Sequence, residues 1–160
     1  MAICYVPPMP IDVDSRTTAA VAVDLAVAVS RLRSRAREAA GVHATGLSIS
    51  QLTLLRRVIE EGPTTAAALA GAEHVSQQAI AQSLAPLKAA GYVSARADPG
   101  DGRKSLISAT ESGRRLHASL HQSREAWLIR AIDATVADDE RSALERAIEL
   151  LERLADADIT

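Results

Sequence analysis

Between Val75 and Ala109 the chain reads VSQQAIAQSLAPLKAAGYVSARADPGDGRKSLISA, and two residue types in this stretch carry chemistry. Gln77 and Gln78 follow Ser76, which can cap a helix, so the first turn would present two side-chain amides that each donate and accept. Such an amide pairs bidentately with adenine in the DNA major groove. Arg103 stands near the tip of a hairpin punctuated by Gly and Pro, and a guanidinium there suits the negative potential of a narrow, A·T-rich minor groove. The expected chemistry is recognition of double-stranded DNA at an A·T-rich site.

Other candidates are weaker. His117 and His121, spaced i, i+4, share a helix face and are the starting point for a metal-responsive reading. Glu125 continues that face, but no Cys or third His is near, so two solvent-side histidines are expected, with no metal and no cofactor. An enzyme is not expected, because no Gly-rich phosphate loop, H-E-x-x-H or G-x-S-x-G occurs. Cys4 is the only cysteine, which excludes an intramolecular disulfide and leaves an inert thiol in a leader, Met1 to Asp14. Nothing in the cysteine usage points to an oxidising compartment, and a cytoplasmic location is expected. The apolar run Thr17 to Val29 contains Asp24 and is too short to cross a bilayer, so no membrane partner is expected.

The elements that must position the glutamines and the arginine follow from periodicity and caps. Val21, Leu25, Ala28, Leu32 and Ala36 mark one face of a long helix over 15–40, with Arg31, Arg33, Arg35 and Arg37 near its favourable C-terminal end. Ser48 to Gln51 has the S-x-x-Q capping box of a second helix, with Leu52, Leu55, Val58 and Ile59 inward and Gly62-Pro63 as its stop. Thr64 or Thr65 then caps a short helix, Ala66 to Ala72, and the helix from Ser76 ends at Gly91. Strands are expected over Val93 to Ala97 and Lys104 to Ser108. Thr110 caps a helix to about Thr135, and Asp138 or Asp139 caps a last helix striped by Leu144, Ile148, Leu151 and Leu154.

The sequence is 48% hydrophobic yet contains no Phe, one Trp and two Tyr, so any core must be aliphatic and suits closely packed helices. Residues 116–160 carry five arginines against ten carboxylates, a net of −5, while residues 1–115 carry thirteen cations against ten, a net of +3. A basic part joined to an acidic tail fits a protein that meets phosphates with one side only. The long terminal helices have more apolar stripe than one chain of 160 residues needs, which predicts a two-fold homodimer. The modest net charge leaves a helical protein-interaction module as the other reading.

In this order the elements resemble the MarR family (multiple antibiotic resistance regulators) of bacterial transcription factors over about residues 15–155. The most specific part is Gly91-Tyr92-Val93, Arg96, Asp98-Pro99-Gly100-Asp101-Gly102-Arg103 and Thr110-Glu111-Ser112-Gly113. The resemblance implies a mainly α fold with a small β-hairpin wing, a winged helix-turn-helix with long N- and C-terminal dimerisation helices. It divides the chain into a leader (1–14), a dimerisation helix and loop (15–46), the DNA-binding region (47–109) and the dimerisation helices (110–160). It also implies a dimer that binds a pseudo-palindromic operator, for which a repressor is expected with an activator as the alternative. Ser76, Gln77, Gln78, Ala81 and Gln82 would face bases or phosphates, Arg96, Arg103 and Lys104 would serve the wing, and Asp101 would hold the Arg103 guanidinium. Family members respond to small anionic aromatic effectors, for which Leu32, Arg56, Arg57, His117 and Trp127 are the candidates here. This chain departs from the family where Gln82 and Gly102 replace frequent arginines, and where Pro86 inside the recognition helix predicts a kink.

Overall fold

A computed structural model describes residues 17–102 and 104–158; the leader with Cys4, and Arg103, lie outside the described residues. The elements are α1 (Thr18–Ala39), α2 (Ile49–Glu61), β1 (Thr64–Thr65), α3 (Ala66–Ala72), α4 (Gln77–Ala89), β2 (Val93–Ala97), β3 (Ser105–Ala109), α5 (Glu111–Thr135) and α6 (Arg141–Ala155). The chain divides into two compact units, the first ending at Arg35 and the second running from Ala36. In the first, Val21, Val23, Val27, Val29 and Leu32 of α1 are exposed.

In the second unit local hydrogen bonds set the helix starts. The Ser48 hydroxyl accepts from the Gln51 N–H at 3.2 Å while the Gln51 carboxamide accepts from the Ser48 N–H at 2.8 Å, which is the expected capping box. Thr65, Ser76 and Thr110 each accept from the N–H three residues on, at 3.2, 3.1 and 3.2 Å. The last helix differs from expectation. Neither Asp138 nor Asp139 caps it, because a 3-10 turn, Asp138–Glu140, comes first and α6 begins at Arg141 with no side-chain cap. The Glu140 carboxylate instead accepts from the Ala137 N–H at 3.0 Å.

The core gathers Leu54, Leu55 and Val58 of α2, Leu69 and Ala70 of α3, Ile80, Leu84 and Leu87 of α4, and Val93, Ile107 and Ala109 of the sheet. Five of these, Leu55, Val58, Leu69, Leu84 and Leu87, are shut off from solvent. At roughly 1.5–3 kcal/mol for each fully buried aliphatic side chain, this cluster is the main stabilising term of the unit. The inward face of α2 is turned from the expected one: Leu54 is buried, while Leu52 and Ile59 are only half-buried. Leu52 instead flanks a second, smaller cluster of Ala40, Val42 and Leu120.

The wing is one strand larger than expected. β3 lies centrally and antiparallel to both neighbours, with Thr64 opposite Ile107 on one side and Val93 opposite Ala109 on the other. β1 thus ties the start of α3 to the wing. Pro86 does not interrupt α4, which runs continuously to Ala89, and the Pro86 carbonyl accepts from the Ala90 N–H at 2.9 Å. The exposed Pro86 sits between the buried Leu84 and Leu87, whose burial offsets the missing backbone donor.

Candidate nucleic-acid interface

Burial of Ile80, Leu84 and Leu87 decides which face of α4 is left outside. Ser76, Gln77, Gln78, Ala81 and Gln82 are all exposed, and Ala85 and Lys88 continue the same face at steps of three. Lys88 is absent from the set that the sequence singled out, although the spacing 78, 81, 85, 88 was there to read. The Ser76 cap leaves the other first-turn N–H groups at an open helix end, suited to a phosphate or a base acceptor.

The turn into α4 is tight. Glu73 ends α3, His74 takes a left-handed conformation at φ 53, and the Val75 N–H donates to the Ala70 carbonyl at 3.0 Å. On the other side of this turn the Arg57 guanidinium of α2 meets two carboxylates, Glu73 through Nε at 2.5 Å and Glu61 through Nη1 at 2.7 Å. Hydrogen bonds to these anions raise the proton affinity of Arg57 further.

At the other end, Gly91 has φ 71, which allows the chain to leave α4 and enter β2 at once. The corner is then locked from 19 and 21 residues away. The Thr110 and Ser112 hydroxyls donate to the Gly91 carbonyl at 2.6 and 2.9 Å, and the Thr110 N–H donates to the Tyr92 carbonyl at 3.0 Å. A Cβ on Gly113 would lie 2.2 Å from the Tyr92 oxygen, so only glycine admits this approach. The T-E-S-G segment therefore fastens α5 to the junction of α4 and β2.

In the wing, the Asp98 carboxylate accepts from the Gly100 N–H at 2.8 Å and the Asp98 N–H donates to the Lys104 carbonyl at 2.9 Å, so the D-P-G-D loop is closed by its own first aspartate. Arg96 is exposed on β2, opposite Leu106. Asp101 lies 3.6 Å from the Lys104 ammonium, and its carbonyl accepts from the Lys104 N–H at 2.8 Å. Arg103 itself, the expected partner of Asp101, is outside the described residues.

The candidates for an effector are spread over three helices. Leu32 is exposed on α1. Arg56 pairs with Glu60 at 2.7 Å and Arg57 is held as described. His117 and Trp127 are half-buried on α5, which packs against α2. The His117 and His121 rings stand 4.8 Å apart. Burial lowers the proton affinity of His117, His121, Arg56 and Arg124 lower it further, and Glu60 opposes them. Among the described residues no group of three or more His, Cys, Asp or Glu could hold a metal ion. Arg124 brings a buried Nε that has no hydrogen-bond partner.

Known proteins share this arrangement. A model of the MarR family matches residues 45–104, the stretch from the loop before α2 to the wing. An HTH-type transcriptional regulator of Mycobacterium leprae is 33% identical over 146 residues, 91% of this chain and 97% of its own length. The crystal structure of a protein from Pseudomonas aeruginosa, described as a transcriptional regulator, superimposes with a TM-score of 0.77 at 30% identity, covering 89% of this chain and all of that one. A mutant MepR of S. aureus bound to an oligodeoxyribonucleotide has the same fold, with a TM-score of 0.68 at 14% identity over 84% of this chain and 95% or more of its own (97%).

Proposed function

We propose, from the premise that this chain belongs to the MarR family of transcriptional regulators and is no enzyme, that it reads an A·T-rich, pseudo-palindromic operator as a homodimer and acts as a repressor. The observation that carries the reading is the exposed face of α4, where three glutamines stand free of the core while the aliphatic face anchors the helix. Gln77, Gln78 and Gln82 supply amides for adenine edges, and Ser76 and Ala81 line the same approach. Lys88, Arg96 and Lys104 supply charge toward phosphates, and Arg103 is assigned to the minor groove. The two recognition helices of a dimer would then stand about 34 Å apart, one turn of DNA.

Dimerisation is supported by the apolar residues that one chain leaves outside on α1 and α6. A small anionic aromatic effector is the proposed release signal. Arg56, His117 and Trp127, with the unpartnered Nε of Arg124, offer donors and an aromatic face on packed helices, Arg57 adds a second guanidinium on α2, and Leu32 is the candidate from α1.

The test is binding of the full chain to a site selected from random DNA, with salt varied. Affinity is expected to fall as salt rises, with one unit of slope lost in Arg103→Ala, roughly one phosphate-grade contact. Gln78→Ala is expected to relax preference at one or two base pairs by about 1–3 kcal/mol. Salt-independent binding, or both variants behaving as wild type, would overturn the reading.

A further inference from the structure

The recognition helix is aimed by a turn of three residues, Glu73 to Val75, that is tied both to its own helix and to α2. All three of its N–H groups have backbone partners, Glu73 to Leu69, His74 to Gly71 and Val75 to Ala70, the paired bonds of a left-handed helix C-cap. Its middle residue, His74, holds the left-handed conformation at φ 53, which side chains other than glycine adopt at a cost and keep only when the surroundings enforce it. A side-chain tie from α2 adds to these bonds. Arg57 spans a sequence separation of 16 to bond Glu73, the residue that closes α3 and opens the turn, while a second edge of the same guanidinium is held by Glu61 on its own helix.

A planar guanidinium fixed on two edges has little rotational freedom left, so the Glu73 carboxylate meets a fixed partner. Both side chains are only 28% exposed, which shields the contact from solvent and salt more than a surface pair. Removing Arg57 would leave the Glu61 and Glu73 carboxylates facing each other beside the turn, with no cation between them. Loss of the contact therefore acts on the attitude of α4 and not merely on its presence, since α4 keeps its own cap at Ser76 and its own anchors in the core.

We propose that Arg57 is a positioning residue for base recognition, setting the entry angle of α4 through Glu73 and the turn at His74. The inference rests on the reading of α4 as the DNA-reading helix. It predicts a loss of discrimination and not of general DNA affinity, because discrimination depends on where Gln77 and Gln78 arrive, whereas phosphate attraction depends on charges elsewhere.

The experiment uses the full chain and two duplexes, a site selected from random DNA by the wild type and a scrambled version of it. Arg57→Met, Glu73→Gln and the double variant are compared over a range of salt, below their unfolding temperatures as measured by circular dichroism. Each single variant is expected to lose about ten-fold in affinity for the selected site, within the usual coupling range for contacting residues, with scrambled-site affinity and salt slope unchanged. The double variant is expected to be no weaker than Arg57→Met alone. Glu73→Gln, nearly isosteric, carries the test if Arg57→Met fails to fold. The proposal is overturned if selected-site affinity stays within two-fold of wild type, or if both duplexes lose equally. It also fails if Arg57→Met lowers the salt slope while Glu73→Gln has no effect, which would make Arg57 a phosphate contact. Wild type that binds neither duplex would instead remove the DNA reading itself.

Discussion

Helices α4 and α6 are built from similar aliphatic side chains at helical spacing and meet opposite fates. Ile80, Leu84 and Leu87 of α4 are at most 3% exposed, enclosed by α2, α3 and the sheet. In α6 no residue is buried, and Ile148, Leu151 and Leu154 are 47%, 40% and 59% exposed. An apolar stripe is satisfied in one helix by its own chain and left open in the other. The contrast teaches that α2, α3, α4 and the sheet close a core among themselves, whereas among the described residues α6 leaves its stripe uncovered. In the proposed dimer a second copy supplies that surface.

The largest expected effect breaks the comparison directly. Leu87→Ala removes a wholly enclosed side chain and is expected to cost about 2–5 kcal/mol of stability in chemical denaturation. Leu151→Ala makes the same deletion in α6 and is expected to leave the stability of one chain almost unchanged. It should, however, lower the melting temperature at concentrations where wild type is dimeric, by an amount that vanishes on dilution to single chains, because the contact is intermolecular. Equal, concentration-independent losses in both variants would erase the distinction. Next in size is Gly113→Ala, which forces a Cβ against the Tyr92 carbonyl and is expected to cost about 1–3 kcal/mol, with DNA affinity falling because the corner between α4 and the wing moves. A melting temperature equal to wild type would show that the approach of α5 is not tight.

The smallest effect concerns pH. His117 binds a proton less well in the folded chain than its ordinary 6.5, chiefly through burial and then through His121 beside it. The unfolded chain therefore takes up this proton first, so stability is full above pH 6.5, falls as pH drops below it, and levels off under the folded value. His117→Gln is expected to flatten this acid-side fall in melting temperature, and an unchanged slope would assign it to other groups.

Much of the fold was legible because its signals are local. The S-x-x-Q box at Ser48, the caps at Thr65, Ser76 and Thr110, and the left-handed exit at Gly91 each involve atoms within a few residues, and each forms as the sequence predicts. Where the signal is short or ambiguous, the structure departs from the sequence expectation. β1 is two residues long and has no periodicity to find; it exists because β3 offers an edge. β3 begins one residue later than expected, at Ser105. In α2 adjacent leucines at 54 and 55 allowed two helix phases, and packing against α4 chose the one that buries both. The start of α6 was misplaced because an acidic run suits a 3-10 turn as well as a cap.

The candidate interface divides in the same way. Exposure of Gln77, Gln78 and Gln82 follows from their phase against Ile80 and Leu84, which the sequence contains. Lys88 lies on that phase too, but about three turns beyond the capped end, where no cap or motif marks it.

By itself the sequence determined the order of the helices, where most of them start and stop, and the pattern of residues that places the chain in its family. Those are matters of hydrogen bonds and side-chain phase within a turn or two. Only the tertiary structure decided that Thr110 and Ser112 hold the Gly91 carbonyl, that Gly113 lies against Tyr92, and that Arg57 reaches Glu73. Those contacts join residues 16 to 21 positions apart, and no local rule fixes the meeting point of two such segments until the aliphatic core has brought their helices together.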